Sequence, residues 1–445
     1  MLIRNALVYT ENHRFEKRDL RIAGDRIDGS EADRITGSPE APEEENRDAA
    51  AEEGIDAEGL YALPGLVDIH LHGAAGFDLF DADPASIRRT AEFEAQNGVT
   101  AFCPAAMTCG EEKLKEILDA AAEYGRTVET AASGTGTETG TETGAPEELP
   151  AASLLGVRLE GPFLSPLKAG AQDPKYIRRG DTAFFREMQA RCRGMIRVLD
   201  TAPEEPGNLE MILELSEEVR ISVAHTAADY DTAVEAFRAG ARQLTHLYNA
   251  MPGIHHRAPG PVIAALDMNA GAAASQDQNA GVSAELIADG IHVHPAMVRF
   301  TFRNFGPENM ILISDSMRAC GLPAGQYELG GQAVTVLEEP VRISGREEDS
   351  GSTGVSGSTK KKAVLTDHPE TLAGSVATLY DCLRCAVLEM GIPLPDAVRA
   401  ASENPARALG AYGDYGTLSA GAFADIILAD KDLNIRAVIL KGKKI

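Results

Sequence analysis

The feature that most constrains this chain is a repeated alternation of short apolar runs with amphipathic stretches, several of the runs closing on His, Glu or Asp. The runs that read as strands are 61–72, 98–103, 154–160, 195–200, 220–225, 242–246, 281–287 and 309–315. The stretches 85–97, 111–124, 181–193, 207–218 and 230–239 carry a helical period between them. About eight strands, most of them followed by a helix, predict a parallel α/β fold, whose commonest closed form is a (β/α)8 TIM-like barrel. Both chain ends are instead rich in strands and turns without a helical period. The expected organisation is therefore a barrel over residues 61–413 and a small β-sandwich domain built from both termini, 1–60 and 414–445.

Three segments read as inserts. Residues 31–58 hold eleven acids and two arginines, residues 128–150 are Thr/Gly/Glu-rich with five acids and no base, and residues 345–362 are Gly/Ser-rich and end in a Lys triplet. None buries enough apolar surface to offset its ordering entropy, so each is expected as a solvated loop, the Lys triplet included. The first two supply −14 of the formal net charge of −26, so the rest of the chain is only mildly acidic. A chain this acidic lacks the basic footprint that a nucleic acid or an anionic membrane requires. No apolar run is long enough to span a bilayer, and MLIRNALVYTENHR has no apolar core ahead of a small-residue cleavage site. Six cysteines in 445 residues make no disulfide framework. The expectation is a cytoplasmic protein with reduced thiols.

The chemistry sits at the strand ends, which in a barrel converge on one mouth. His70 and His72 are two residues apart on a strand and share a face, as two ligands of one metal would. Glu160 closes LLGVRLE, and His225 and His246, 21 residues apart, close successive strands. A core histidine is the plain reading of either one alone; equivalent positions on neighbouring strands favour ligation. Asp315 ends MILISD, where an acid on an apolar strand needs a partner. By contrast, Cys382-x-x-Cys385 reads as one face of a helix, and GLPAGQYELGG (321–331) lacks the strand–turn–helix frame of a phosphate loop and reads as turns.

Together the stretches PGLVDIHLHG (64–73), RLEGPFLSPLKAGAQ (158–172), AHTAAD (224–229), THLYNAMPGIHHRAPG (245–260), ADGIHVHP (288–295), ISDSM (313–317) and TLAGS (371–375) resemble the N-acetylglucosamine-6-phosphate deacetylases of the amidohydrolase superfamily. The resemblance covers nearly the whole chain outside the inserts. It implies Glu160, His225 and His246 as principal metal ligands, His70 and His72 as a second-metal pair, and Asp315 as catalytic acid/base. It further implies Ala171, Gln172, Asn249, Ala250, His256, Arg257, Asp289, Gly290, Ile291, His292, Leu372, Ala373 and Gly374 as substrate-binding positions. Position 172 departs from the pattern, being Gln where many members have histidine. One or two divalent metals per subunit, zinc or iron, are implied. So is a homodimer in which Arg257 reaches the neighbouring site to meet the sugar phosphate. The expected reaction is hydrolysis of the acetamide of N-acetyl-D-glucosamine 6-phosphate to the amine and acetate. Two alternatives stand beside it: a related amidohydrolase, such as one acting on the galactosamine epimer, and a scaffold that has lost catalysis. The full set of ligands and acid/base argues against the scaffold.

Overall fold

The computed structural model describes residues 1–29, 54–133, 149–275, 281–340 and 359–445. Seven strands lie side by side and parallel in the order Ala105–Met107, Val157–Glu160, Ile196–Thr201, Arg220–Val223, Gln243–Leu244, Ser283–Ile287 and Met310–Ile313. Leu66–Asp68 and Val99–Phe102 pair in a neighbouring three-stranded parallel sheet with Ser153–Leu154. Backbone bonds continue between the sheets: Cys103 N–H to Asp68 O (2.8 Å), Ala105 N–H to Leu71 O (2.7 Å), Asp315 N–H to His70 O (2.8 Å) and His72 N–H to Ser316 O (2.7 Å). The curled seven-stranded sheet and the three-stranded sheet are thus linked at both ends by backbone bonds. Nearly every strand residue is buried on both faces, which is why these segments read as continuous apolar runs rather than alternating ones.

Helices Pro84–Gln96, Glu111–Ser133, Thr182–Arg191, Asn208–Leu215 and Tyr230–Ala239 fall where the helical period placed them. Asp83, Asp181 and Asp229 cap three of them, each accepting a backbone N–H from the first turn. Gly260–Ser275, Pro295–Phe305, Leu379–Leu388, Leu394–Ala401 and Glu403–Ala408 are the remaining α-helices among the described residues. Cys382 and Cys385 lie buried on one face of Leu379–Leu388, and all six cysteines are free.

Both termini enter one mixed sheet. Its order is Lys443–Lys444, Ile435–Leu440, Ile426–Ala429, Tyr61–Pro64, Leu2–Tyr9, Phe15–Ala23 and Arg26–Ile27, with Gly54–Asp56 added parallel to Leu2–Arg4. Its own apolar cluster includes Ile3, Val8, Leu20, Ile22, Ile426, Leu428 and Ile439. The run 61–72 is therefore not one strand. It breaks at Gly65, whose missing Cβ leaves room for the Thr100 side chain: residues before it join the terminal sheet and residues after it the curled one.

The inserts are smaller than composition suggested. Residues 54–56 are strand, 128–133 continue a helix, and 359–362 begin the strand Thr359–Leu365; the remainder of the three low-complexity stretches lies outside the described residues. Thr359–Leu365 pairs with Gln332–Pro340, which pairs with Gly325–Leu329, so part of 321–331 is strand and not turn. The Lys triplet is paired, not solvated. Lys360 Nζ donates to Asp289 O (2.9 Å) and Glu389 Oε2 (2.8 Å), Lys361 Nζ to Leu322 O (2.8 Å), and Lys362 Nζ lies 2.5 Å from Glu339 Oε1. Composition could not reveal acceptors supplied by distant segments. No helix among the described residues is long and apolar enough to cross a membrane.

Candidate metal centre

Glu160, His70, His225, His246 and Asp315 sit at or two residues past the end of a parallel strand, and His72 four residues past one, so the strand ends deliver all of them to one spot. Glu160 is the last residue of Val157–Glu160; His225, His246 and Asp315 follow Val223, Leu244 and Ile313 by two. Those three adopt left-handed backbone angles, φ of +40°, +27° and +50°, which turn the chain sharply as it leaves the sheet.

Two buried trios result, Glu160 with His225 and His246, and Asp315 with His70 and His72. In the first, Glu160 Oε1 lies 3.1 Å from His225 Nε2 and 3.3 Å from His246 Nε2, and the two nitrogens are 3.1 Å apart. In the second, His72 Nε2 is 3.1 Å from Asp315 Oδ1 and His70 Nε2 is 3.6 Å from it. Glu160 joins them: Oε1 is 3.5 Å from His70 Nε2 and Oε2 is 3.5 Å from His72 Nε2.

This arrangement fits a cation. A tetrahedral ion with bonds of about 2.0–2.1 Å has ligand–ligand edges of about 3.3 Å, close to the spacings observed. His225 Nδ1–H donates to Lys168 O (2.9 Å) and His70 Nδ1–H to Glu285 Oε2 (3.2 Å), which leaves the Nε2 lone pair of each neutral ring facing the centre. His70 Nε2 and Glu160 Oε2 are buried there without a hydrogen-bond partner, an expensive state unless a ligand takes them up.

The electrostatics agree. Burial alone would push the Glu160 carboxyl up, but positive charge on His70, and on His225 and His246 beside its Oε1, would hold it well below the usual carboxylate range. Asp315 is also held down against burial, to about 2, by His70 and a hydrogen bond from His72. Burial and Arg158 both lower His70, yet Glu160 and Asp315 outweigh them and raise it to about 10. Two carboxylates thus draw positive charge into the centre, as protons on the rings or as a metal ion in their place.

Most of the other expected residues are held by hydrogen bonds to neighbouring segments. Buried Gln172 accepts Thr108 N–H through Oε1 at 2.8 Å, leaving its NH2 as the free donor. Ala171 precedes it, and its carbonyl accepts from Gln332. Asp289 accepts the backbone N–H of Ile291 (2.8 Å) and His292 (3.0 Å) and pairs with His292 Nδ1 at 2.8 Å, tying Gly290 into a tight turn. Burial would lower His292, but Asp289 raises it. Leu372, Ala373 and Gly374 run past Asp315, with Ser375 N–H donating to Asp315 O at 2.7 Å. Asn249 Nδ2 donates to His246 O (3.2 Å), and Ala250 O accepts from Thr226 N–H. His256 and Arg257 stand apart, paired at 2.8 Å on an exposed loop.

Sequence reasoning missed Thr108, Lys168 and the buried charges Arg158, Asp200 and Glu285. Arg158 and Glu285 carried a legible signal, being ionisable residues inside otherwise apolar strand runs.

The amidohydrolase family model matches residues 61–445. The chain belongs to the amidohydrolase family. That family is metal-dependent, in keeping with the two trios. The resemblance to the deacetylases is borne out as well. The chain is 33% identical to N-acetylglucosamine-6-phosphate deacetylase of Bacillus subtilis (strain 168), over 99% of this chain and 96% of the relative. It is 32% identical to N-acetylgalactosamine-6-phosphate deacetylase of Escherichia coli O157:H7, over 87% and 88%. Among solved structures, a mutant N-acetyl-D-glucosamine-6-phosphate deacetylase of Mycobacterium smegmatis, in complex with N-acetyl-D-glucosamine-6-phosphate, matches at a TM-score of 0.77 and 31% identity, covering 100% of this chain and 98% of that one.

Proposed function

We propose that this amidohydrolase removes the acetyl group of N-acetyl-D-glucosamine 6-phosphate, giving D-glucosamine 6-phosphate and acetate. The observation that carries the reading is the pair of buried trios meeting at Glu160 in a chain whose full-length relatives carry that name.

Glu160, His225 and His246 would hold the principal divalent cation and His70, His72 and Asp315 a second, zinc or iron being suited to imidazole and carboxylate ligands. Such a cation acidifies water and polarises an amide carbonyl. Asp315, ionised at neutral pH, accepts the proton of the attacking water and returns it to the sugar nitrogen as the C–N bond breaks. Without that proton the departing amine is a very poor leaving group. Gln172, its oxygen occupied by Thr108 N–H, presents its NH2 to the oxyanion that develops on the acetyl carbonyl. His292, held by Asp289, and the Leu372–Gly374 segment position the sugar. The Arg257 guanidinium, with His256, suits the 6-phosphate bidentately. Its exposure supports a homodimer in which it acts at the neighbouring site.

The same reading takes the two parallel sheets as one closed (β/α)8 barrel, the terminal strands as a small β-sandwich domain, and the enzyme as cytoplasmic. The galactosamine epimer is the second reading, favoured by the Escherichia coli relative. Acetate release measured on both acetylated sugars, with and without the 6-phosphate, decides between them; no release from either phosphorylated sugar would overturn the proposal. Metal titration of the chelated chain should approach two equivalents, and His70→Ala with His72→Ala should remove the weaker one.

A further inference from the structure

Below the two trios the barrel interior buries a second layer of charge that contacts them from behind. Arg158, fully buried, bonds Asp200 through Nε (2.6 Å) and Nη2 (2.6 Å), Thr245 Oγ1 through Nη2 (2.7 Å), and Glu285 Oε1 through Nη1. Glu285, also fully buried, accepts at Oε1 from Arg158 and from Gln243 Nε2, and at Oε2 from His70 Nδ1 (3.2 Å) and His246 N–H (3.3 Å). Both oxygens of Glu285 therefore face donors only. It lies on Ser283–Ile287, a strand that contributes no member of either trio.

We infer that Glu285, oriented by Arg158, is a positioning residue that fixes the tautomer of His70, holding its proton on Nδ1 and leaving Nε2 bare toward the metal. This rests on reading the His70, His72 and Asp315 trio as a metal site. The argument follows from which groups can donate. A guanidinium has no acceptor and does not deprotonate, so Arg158 keeps an oxygen of residue 285 on its side. In Glu285→Gln that oxygen is the only acceptor left, and the NH2 is turned toward His70. The ring must then accept at Nδ1, which puts its proton on Nε2, the atom that should face the cation. A carboxylate at this position allows only the opposite arrangement: Nδ1–H outward to Glu285 and a bare Nε2 lone pair toward Asp315 and Glu160. Replacing such an outer partner of a ligating histidine typically costs about 10–100-fold in metal affinity.

The test strips metal with a chelator and titrates zinc against a competing chelator, with elemental analysis of the end point and a thermal melt of each metal-free chain. His70→Ala with His72→Ala identifies which binding step belongs to that trio. Glu285→Gln should weaken that step by about 10–100-fold and the Glu160, His225 and His246 step much less, while Glu285→Asp, which keeps the acceptor, should lose less. Unchanged zinc affinity in a Glu285→Gln chain, or equal weakening of both steps, would overturn the assignment and leave Glu285 a packing residue. Should Glu285→Gln not fold, Glu285→Asp carries the same comparison: its carboxylate is drawn back by one methylene, and wild-type affinity would overturn the role. A wild-type chain that takes up no zinc sinks the metal reading and this inference with it, an outcome separable from failure of the inference alone.

Discussion

The centre of the curled parallel sheet and the terminal sheet bury their residues equally well and for different ends. The centre packs Arg158, Glu160, Asp200, Glu285, Asp315 and four histidines into one connected polar network. The interior of the terminal sheet is Ile, Leu, Val and Ala, with Asp425 at its margin. In the first region the identity and protonation of each side chain matter; in the second, volume does. Function and stability should accordingly separate under mutation.

The largest separation is expected at Asp315. Asp315→Asn keeps shape and removes the proposed proton carrier, so kcat should fall by roughly 10²–10⁴ while the melting temperature and the zinc content of the Glu160 trio hold. A kcat near wild type would remove Asp315 from the mechanism. The mirror case is Ile426→Ala in the terminal sheet, which should cost about 2–5 kcal/mol of stability by opening a cavity, with kcat per folded molecule unchanged. If kcat fell with stability, the two regions would be coupled after all.

Smaller effects sharpen the contrast. Arg257→Ala should raise KM for the phosphorylated sugar by about 10–100-fold, the worth of a charge-assisted hydrogen bond, and leave KM for the unphosphorylated sugar nearly unchanged. Equal penalties on both sugars would sink the phosphate assignment. Asp425 is the exception inside the structural region. Burial raises it to about 6, although Lys441 N–H donates to its Oδ1, and its Oδ2 has no partner. A carboxyl whose folded value lies above its unfolded one makes the native state bind more protons, so stability falls as pH rises through that window. Asp425→Asn should therefore raise the melting temperature at pH 7–8, by up to about 3 kcal/mol in stability, and the gain should vanish as the pH falls from 6 toward 4. A gain independent of pH would place its origin elsewhere.

Legibility in the sequence followed the same division. Glu160, His225, His246 and Asp315 were readable because an ionisable residue closing an apolar run is conspicuous, and the structure brings all four together. The strand at Ala105–Met107 was not, since three residues leave no periodic signal. The run 61–72 concealed the passage from one sheet to the other, because its apolar pattern continues across the break at Gly65. The Lys triplet misled for a related reason: composition reports what a segment can solvate, and its acceptors Asp289 O, Leu322 O, Glu339 and Glu389 lie elsewhere in the chain. Arg158 and Glu285 show the limit most clearly. Each was visible as an oddity in its own strand, but only the fold makes them partners.

The left-handed turns at His225, His246 and Asp315 bear on how such an enzyme can evolve. A residue with a Cβ held in that conformation costs of order 1 kcal/mol that glycine would not. At these three positions the substitution most favoured by the backbone is the one that deletes a proposed ligand or the proposed acid/base. With the roles proposed for these residues, gains in heat tolerance are open in the terminal sheet and the outer helices and closed at these strand ends, where glycine would remove the chemistry.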